Sequence, residues 1–190
     1  MKPKDEKKIE EIFQATLKLV QQNGLAGITM QSIAKQAHIA TGTLYIYFEN
    51  KEKLITELFG ECVKKSTSTY FTNYDPEAPF KVGFRTIWEN MFQYRIDNFE
   101  ESIFIEQCFH SPFIHQETKL AAKEMFQPLV KLIERGKKEL LIKSLETFCI
   151  LGFLAGGMNE IIKRSHYFDK KITKPMLEDT FLLSWDAMKA

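Results

Sequence analysis

Residues 29–53 read TMQSIAKQAHIATGTLYIYFENKEK, and the spacing within them predicts two short helices joined by a tight connection. Thr29 suits the N-cap of MQSIAKQA, in which Ile33, Ala34 and Ala37 fall on one apolar stripe and the small Ala34 lets a second helix cross closely. That helix is expected to end at Ala37. His38, Ile39 and Ala40 form the connection, His38 being a residue type that tolerates positive φ. Thr41 is placed to cap the second helix, TGTLYIYF. At about 100° per residue, Leu44 and Phe48 point together into the head while Gly42 and Ile46 point away, with Thr43 and Tyr47 on one flank and Tyr45 on the other.

An isoleucine turned to water beside a glycine is poor use of a globular surface. In a DNA major groove the same pair makes physical sense, because an apolar side chain meets a thymine methyl and a glycine permits close approach. The stretch therefore reads as a helix-turn-helix with TGTLYIYF as the recognition helix. The expected DNA-facing set is Thr29 and Gln31 at the start of the first helix, Thr41, Gly42, Thr43, Tyr45, Ile46 and Tyr47 on the second, and Lys51 beyond it. Thr41 and Thr43 are the polar base readers, and Tyr45 and Tyr47 are phosphate donors. Asn50 caps the following helix, so Lys51 joins the free N–H groups of a helix start, a ready phosphate site, with Lys53 beside it. The competing reading is a structural three-helix head that packs Ile46 against another domain.

The segment from Ile9 to Phe59, with Thr29, Ile33, Ala34, Ala37 and then GTLYIYFENKEKL, resembles the DNA-binding domain of the tetracycline repressor (TetR) family. The resemblance covers about a quarter of the chain, and the Leu-Tyr-x-Tyr-Phe-x-x-Lys run makes it more specific than a lone turn pattern. His38 stands where that family usually has glycine, Ala40 where a serine often caps, and Ile46 where a polar or aromatic residue is common. These departures bear on the operator sequence, since Gly42 and Ile46 bring no hydrogen-bonding side chain. The resemblance implies a homodimer on a palindromic operator, a helical ligand-binding and dimerisation body, and a connecting helix whose tilt sets the spacing of the two heads.

Composition agrees with a head and a body. The 190 residues are 44% hydrophobic, enough for a real core, and six prolines, nine glycines and little period-two alternation predict an all-α chain of about nine helices with almost no strand. Net charge is +1, which excludes polybasic nucleic-acid glue. Residues 1–53 carry eight lysines and six acids, whereas the remainder carries 18 basic and 19 acidic residues, a weak bias toward the head. The lysines at 2, 4, 7 and 8 are interleaved with Asp5 and Glu6 and read either as a solvated run or as an arm that reaches phosphates. Cys62, Cys108 and Cys149 are odd in number and lack metal-ligand spacing, so no disulfide, metal or cofactor is expected, and with no apolar leader near the start the expected compartment is the cytoplasm.

The division expected is residues 1–53 for the head and 54–190 for the body. Ile9, Ile12, Phe13, Leu17 and Val20 predict a bracing helix that stops at Asn23-Gly24, and Leu54, Leu58, Phe59 and Cys62 mark the connecting helix. Asp75-Pro76 predicts a turn before an aromatic stripe through Phe80, Phe84, Ile87, Trp88, Met91 and Phe92. Pro112 is expected to break the next apolar piece, ESIFIEQCFHSPF, from a helix spanning Leu120 to Ile133 that Pro128 kinks. Trp88, Phe92, Phe104, Gln107, Cys108, Phe109 and Phe126 are the candidate effector-binding residues, and polar Asn90, Gln93 and His110 lie beside the same stripes.

Residues 144–165 predict a helix apolar nearly all round, with Gly152, Ala155, Gly156 and Gly157 as a close-packing seam. Its uncharged run of 13 residues is too short for a membrane span, which needs about 20. Thr173 and Pro175 start a last helix striped by Leu177, Phe181, Trp185 and Met188, with Leu182 at its edge. Two such helices suit a four-helix bundle made by two chains, and the resemblance implies the same. Three functions compete: a regulator that releases its operator when a small apolar effector binds, a DNA-bound scaffold whose body recruits a protein, and an enzyme using Cys108, for which the sequence offers no matching acid or oxyanion signature.

Overall fold

The computed structural model describes residues 5–190, so Lys2 and Lys4 of the expected arm lie outside the described residues. Lys7 and Lys8 belong to a helix whose N-cap, Asp5, accepts from both of their backbone N–H groups. Among the described residues there are ten α-helices: α1 Glu6–Gly27, α2 Met30–Gln36, α3 Thr41–Tyr47, α4 Lys51–Tyr70, α5 Phe80–Asp97, α6 Phe99–Phe109, α7 Gln116–Glu124, α8 Gln127–Lys138, α9 Thr147–Tyr167 and α10 Lys174–Met188. The tenth helix arises where one kinked helix was expected. Pro128 lies in the first turn of α8, where its missing N–H costs nothing, so it opens a helix instead of bending one.

The chain divides into two compact units, Met1–Lys65 with Asn98–Glu124, and Ser66–Asp97 with Met125–Ala190. This differs from a boundary at residue 53. Three helices, two of them seven residues long, cannot enclose a core, and the first unit recruits the start of α4 together with α6 and α7. Its buried cluster runs from Ile12, Leu17 and Val20 through Ile33 and Leu44 to Leu54, Ile55 and Phe59, then to Phe104, Cys108, Ile114 and Ala122. α1 is bent at Gly24, whose φ of 71° only glycine adopts freely.

The second unit packs α5, α8, α9 and α10 around aromatic rings. Trp88 stacks on Phe92 at 5.0 Å and meets Phe181 edge-on at 5.4 Å, while Phe80 stacks on Phe84 at 6.2 Å. Arg85 holds Glu89 and Glu178 and lies over the Phe181 ring, so α5 and α10 are tied by charge as well as by packing. The expected helix at residues 144–165 forms as α9, but only Ile150, Leu154, Met158 and Ile162 of it are buried. Its other face leaves Phe148 84% and Phe153 67% exposed, so one chain does not bury this helix.

Gly136 of α8 faces the Phe80 ring, which is itself buried, and a Cβ built at Gly136 would overlap that ring. Gly136→Ala is therefore expected to destabilise the protein by about 1–3 kcal/mol through overpacking, read as a lower urea midpoint with an unchanged slope.

Candidate nucleic-acid interface

The two helices of the predicted head form where expected. Thr29 accepts from the Ser32 N–H at 3.1 Å while Ser32 Oγ accepts from the Thr29 N–H at 2.9 Å, a reciprocal capping box that pins the start of α2. Ile33 and Ala34 are buried, Ala37 is the C-cap, and His38 takes φ 55°, which turns the chain toward α3. The cap of α3 differs from expectation. Ala40 holds the N-cap position with no side-chain cap, and Thr41 is the first helical residue. Its hydroxyl is thereby left out of capping.

α3 presents the face that its spacing implied. Leu44 and Phe48 are buried, whereas Ile46 is 75% exposed and Tyr45 52%, and a Cβ at Gly42 would meet open space. Thr41, Thr43 and Tyr47 are half-buried along the helix flank, and Tyr47 also packs on the core. Thr29 and Gln31 are exposed at the start of α2. A short helix thus carries a large apolar side chain, an open glycine position and hydroxyls on its outer surface, which fits a groove that offers methyl groups and base edges.

Lys51 behaves differently from its expected role. Its ammonium donates to the carbonyl oxygens of Leu25 at 2.9 Å and Ile28 at 2.7 Å and lies 4.7 Å from the centre of the Phe113 ring. Burial pulls its pKa below the ordinary lysine value. At the start of α4, Asn50 Oδ1 accepts from the Lys53 N–H at 2.8 Å as predicted, and the exposed Lys53 is the cation beside that helix end. No short-range signal marks the Lys51 contacts, because their partners lie more than 20 residues away in the chain.

The seven candidate effector residues fall in both units. Trp88 and Phe92 are buried in the second, where Trp88 Nε1 donates to Ser184 Oγ at 3.2 Å, and Phe126 is half-buried against Tyr70. Phe104 and Cys108 are fully buried in the core of the first unit, Phe109 meets Phe59 edge-on, and Gln107 Oε1 accepts from the Leu25 N–H at 2.8 Å. Asn90 donates to the Tyr70 and Thr72 carbonyls and Gln93 to Asp97, so both serve as internal ties. Burial pushes the Cys108 thiol up to about 12, the opposite of an activated thiolate, and raises Cys62 as well. In the native protein at pH 8, a thiol reagent should titrate one cysteine, the exposed Cys149, and reach Cys62 and Cys108 only on unfolding; rapid labelling of two or more would contradict this burial.

Among the described residues no helix is long and apolar enough to cross a membrane. Residues 12–58 match the family described as bacterial regulatory proteins, tetR family, and residues 79–189 match a tetracyclin repressor-like C-terminal domain. An uncharacterised HTH-type transcriptional regulator of Haemophilus influenzae is 33% identical over 89 residues, 47% of this chain and 48% of that one, so the match spans about half the length of this relative. A solved TetR family transcription regulator from Marinobacter aquaeolei superposes with a TM-score of 0.87 at 24% identity, covering 100% of this chain and 99% of that one. The regulator FadR of Bacillus subtilis, solved in complex with stearoyl-CoA, superposes with a TM-score of 0.67 at 18% identity, over 92% of this chain and 95% of that one. With a tetR head at its start and a tetracyclin repressor-like domain over more than half its length, the chain belongs to the tetR family of bacterial regulatory proteins.

Proposed function

We propose that the chain is a DNA-binding transcriptional regulator, a cytoplasmic homodimer that holds a palindromic operator and releases it when a small, largely apolar effector binds. The observation that carries this reading is the outer face of α3, where Ile46 is 75% exposed beside the open Gly42 and the hydroxyl of Thr43. Thr29, Gln31, Thr41, Tyr45 and Tyr47 complete the surface offered to the duplex, the tyrosines to phosphates and the threonines to base edges. Lys53 and the free N–H groups of α4 add a phosphate site.

The second copy of the chain is proposed to dock on α9 and α10. Phe148, Phe153, Leu182 and Leu183 are exposed there, and a Cβ at Gly152, Gly156 or Gly157 meets nothing, so the surface is both apolar and open to close approach by another helix. Phe153→Glu should convert the dimer to monomer in sedimentation and weaken operator binding with it. A charged variant that sediments as the wild-type dimer would place the interface elsewhere.

Half-sites should lie one helical turn, about 34 Å, or a multiple of it apart, read from duplexes selected out of a random pool. Selected sites with no inverted repeat would remove the dimeric operator reading. Within those sites Thr43→Ala and Ile46→Ala should each change the preferred base at one position per half-site, at a cost of about 1–3 kcal/mol of discrimination.

The effector reading is supported by the aromatic character of Trp88, Phe92 and Phe126 in the second unit, and by the stearoyl-CoA complex of the Bacillus subtilis relative. To release DNA, the effector must bind the head spacing that does not fit the operator more tightly than the one that does, and a tenfold loss of DNA affinity requires about 1.4 kcal/mol of difference. Operator DNA must then weaken the effector by the same factor. Titrating an apolar compound found by thermal shift, with and without operator, should show that equal factor; identical affinities would disconnect the body from the head.

A further inference from the structure

Three polar backbone groups where α1 ends and the chain turns into α2 are bonded by side chains from other helices. Gly24, at φ 71° and ψ 161°, takes the Leu25 N–H out of the helical ladder. The last turn of α1 ends in carbonyls that carry the negative pole of the helix, and no basic residue of α1 lies there to meet them. All three groups are answered from elsewhere in the first unit. Gln107 of α6 presents Oε1 to the Leu25 N–H at 2.8 Å, and Lys51 of α4 places its ammonium between the Leu25 and Ile28 carbonyls at 2.9 and 2.7 Å. Leu25 is thus held at both ends of its residue, through its N–H by α6 and through its carbonyl by α4.

Two further contacts keep Lys51 in place. The Phe113 ring covers the ammonium at 4.7 Å, and Glu52, the next residue of α4, meets His115 at 2.9 Å just beyond Phe113. Leu25 and Ile28 are themselves buried, so their side chains hold the turn against the core while these bonds fix its backbone. Thr29 follows Ile28 directly and is the N-cap of α2. Whatever fixes Ile28 therefore fixes where α2 begins and, through the His38 turn, where α3 points.

We propose that Lys51 and Gln107 are positioning residues for DNA recognition, which clamp the Leu25–Ile28 turn and so aim α2 and α3, and that Lys51 acts through this turn and not by contacting phosphate. The inference rests on the DNA-binding reading but concerns residues that do not reach the duplex. A phosphate lysine must offer its N–H groups to solvent, whereas this one has spent two of its donors on carbonyls and lies beneath an aromatic ring. Gln107 contributes only as an acceptor, and its partner is a backbone N–H in place of an effector.

The test uses the full-length protein with the tightest duplex that the wild type selects from a random pool, together with hydrogen exchange resolved to single amides on the free protein. Lys51→Met should weaken that duplex about tenfold while leaving the slope of log affinity against log salt at its wild-type value. A lost phosphate contact would lower that slope by about 0.9. Gln107→Leu should likewise weaken the duplex, and exchange at the Leu25 amide should accelerate at least tenfold while Ile12 to Val20 of α1 exchange as before. Gln107→Glu keeps the acceptor and should restore both the slow Leu25 exchange and the affinity, a rescue that a role in packing alone would not produce. If Lys51→Met fails to fold, the Gln107 pair decides the matter. A wild-type chain that selects no duplex removes the DNA-binding reading, yet the exchange data still report on the clamp. The inference is overturned if Gln107→Leu leaves the Leu25 amide and the duplex affinity at wild-type values, or if Lys51→Met lowers the salt slope by about one with exchange around residues 25–29 unaltered.

Discussion

Helices of seven residues do not stand alone, since an isolated helix shorter than about 12–15 residues is marginal in water even with favourable sequence. α2 and α3 are both seven residues long, and α3 spends its outer face on exposed groups. Everything in the first unit follows from that shortage of buried surface. Ile33, Ala34 and Leu44 each contribute to one shared cluster whose larger part comes from α1, from the start of α4 and from α6. The first unit is therefore a six-helix core with a small reading edge, and it extends through α7.

The same shortage explains the polar arrangement of the turn ahead of α2. A kink at Gly24 lets α1 end against the core, and it takes the Leu25 N–H out of the helical ladder. A glutamine from α6 and a lysine from α4 bond that N–H and the Leu25 and Ile28 carbonyls, at a cost in side-chain freedom. The consequence is that the Lys51 ammonium, expected at the phosphates, is engaged by the Leu25 and Ile28 carbonyls, and Lys53 is the exposed cation beside the α4 helix end.

The second unit follows another logic. Its rings interlock on one side of α5 and α10, with Arg85 bridging Glu89 and Glu178 over Phe181, and its glycine at position 136 gives way to Phe80. α9 buries residues four apart on one face and shows phenylalanines and glycines on the other. α9 thus has two apolar faces, of which its own chain covers one.

What the sequence determined by itself was local. Thr29, His38, Asn50, Thr173 and the aromatic stripe of α5 announced their caps, turn and buried face because each depends on residues within a few positions, where helical periodicity and side-chain reach are known. The outward pointing of Ile46 was legible for the same reason. Tertiary structure decided whatever depends on distant partners: that Pro128 opens a helix, that α6 belongs with the head, that Phe104 and Cys108 are core, and that Lys51 and Gln107 converge on Leu25 from 26 and 82 residues away. Spacing along a chain reports which way a side chain points from its own helix. Which groups it will meet is set by how several helices pack together, and no periodicity within one of them encodes that.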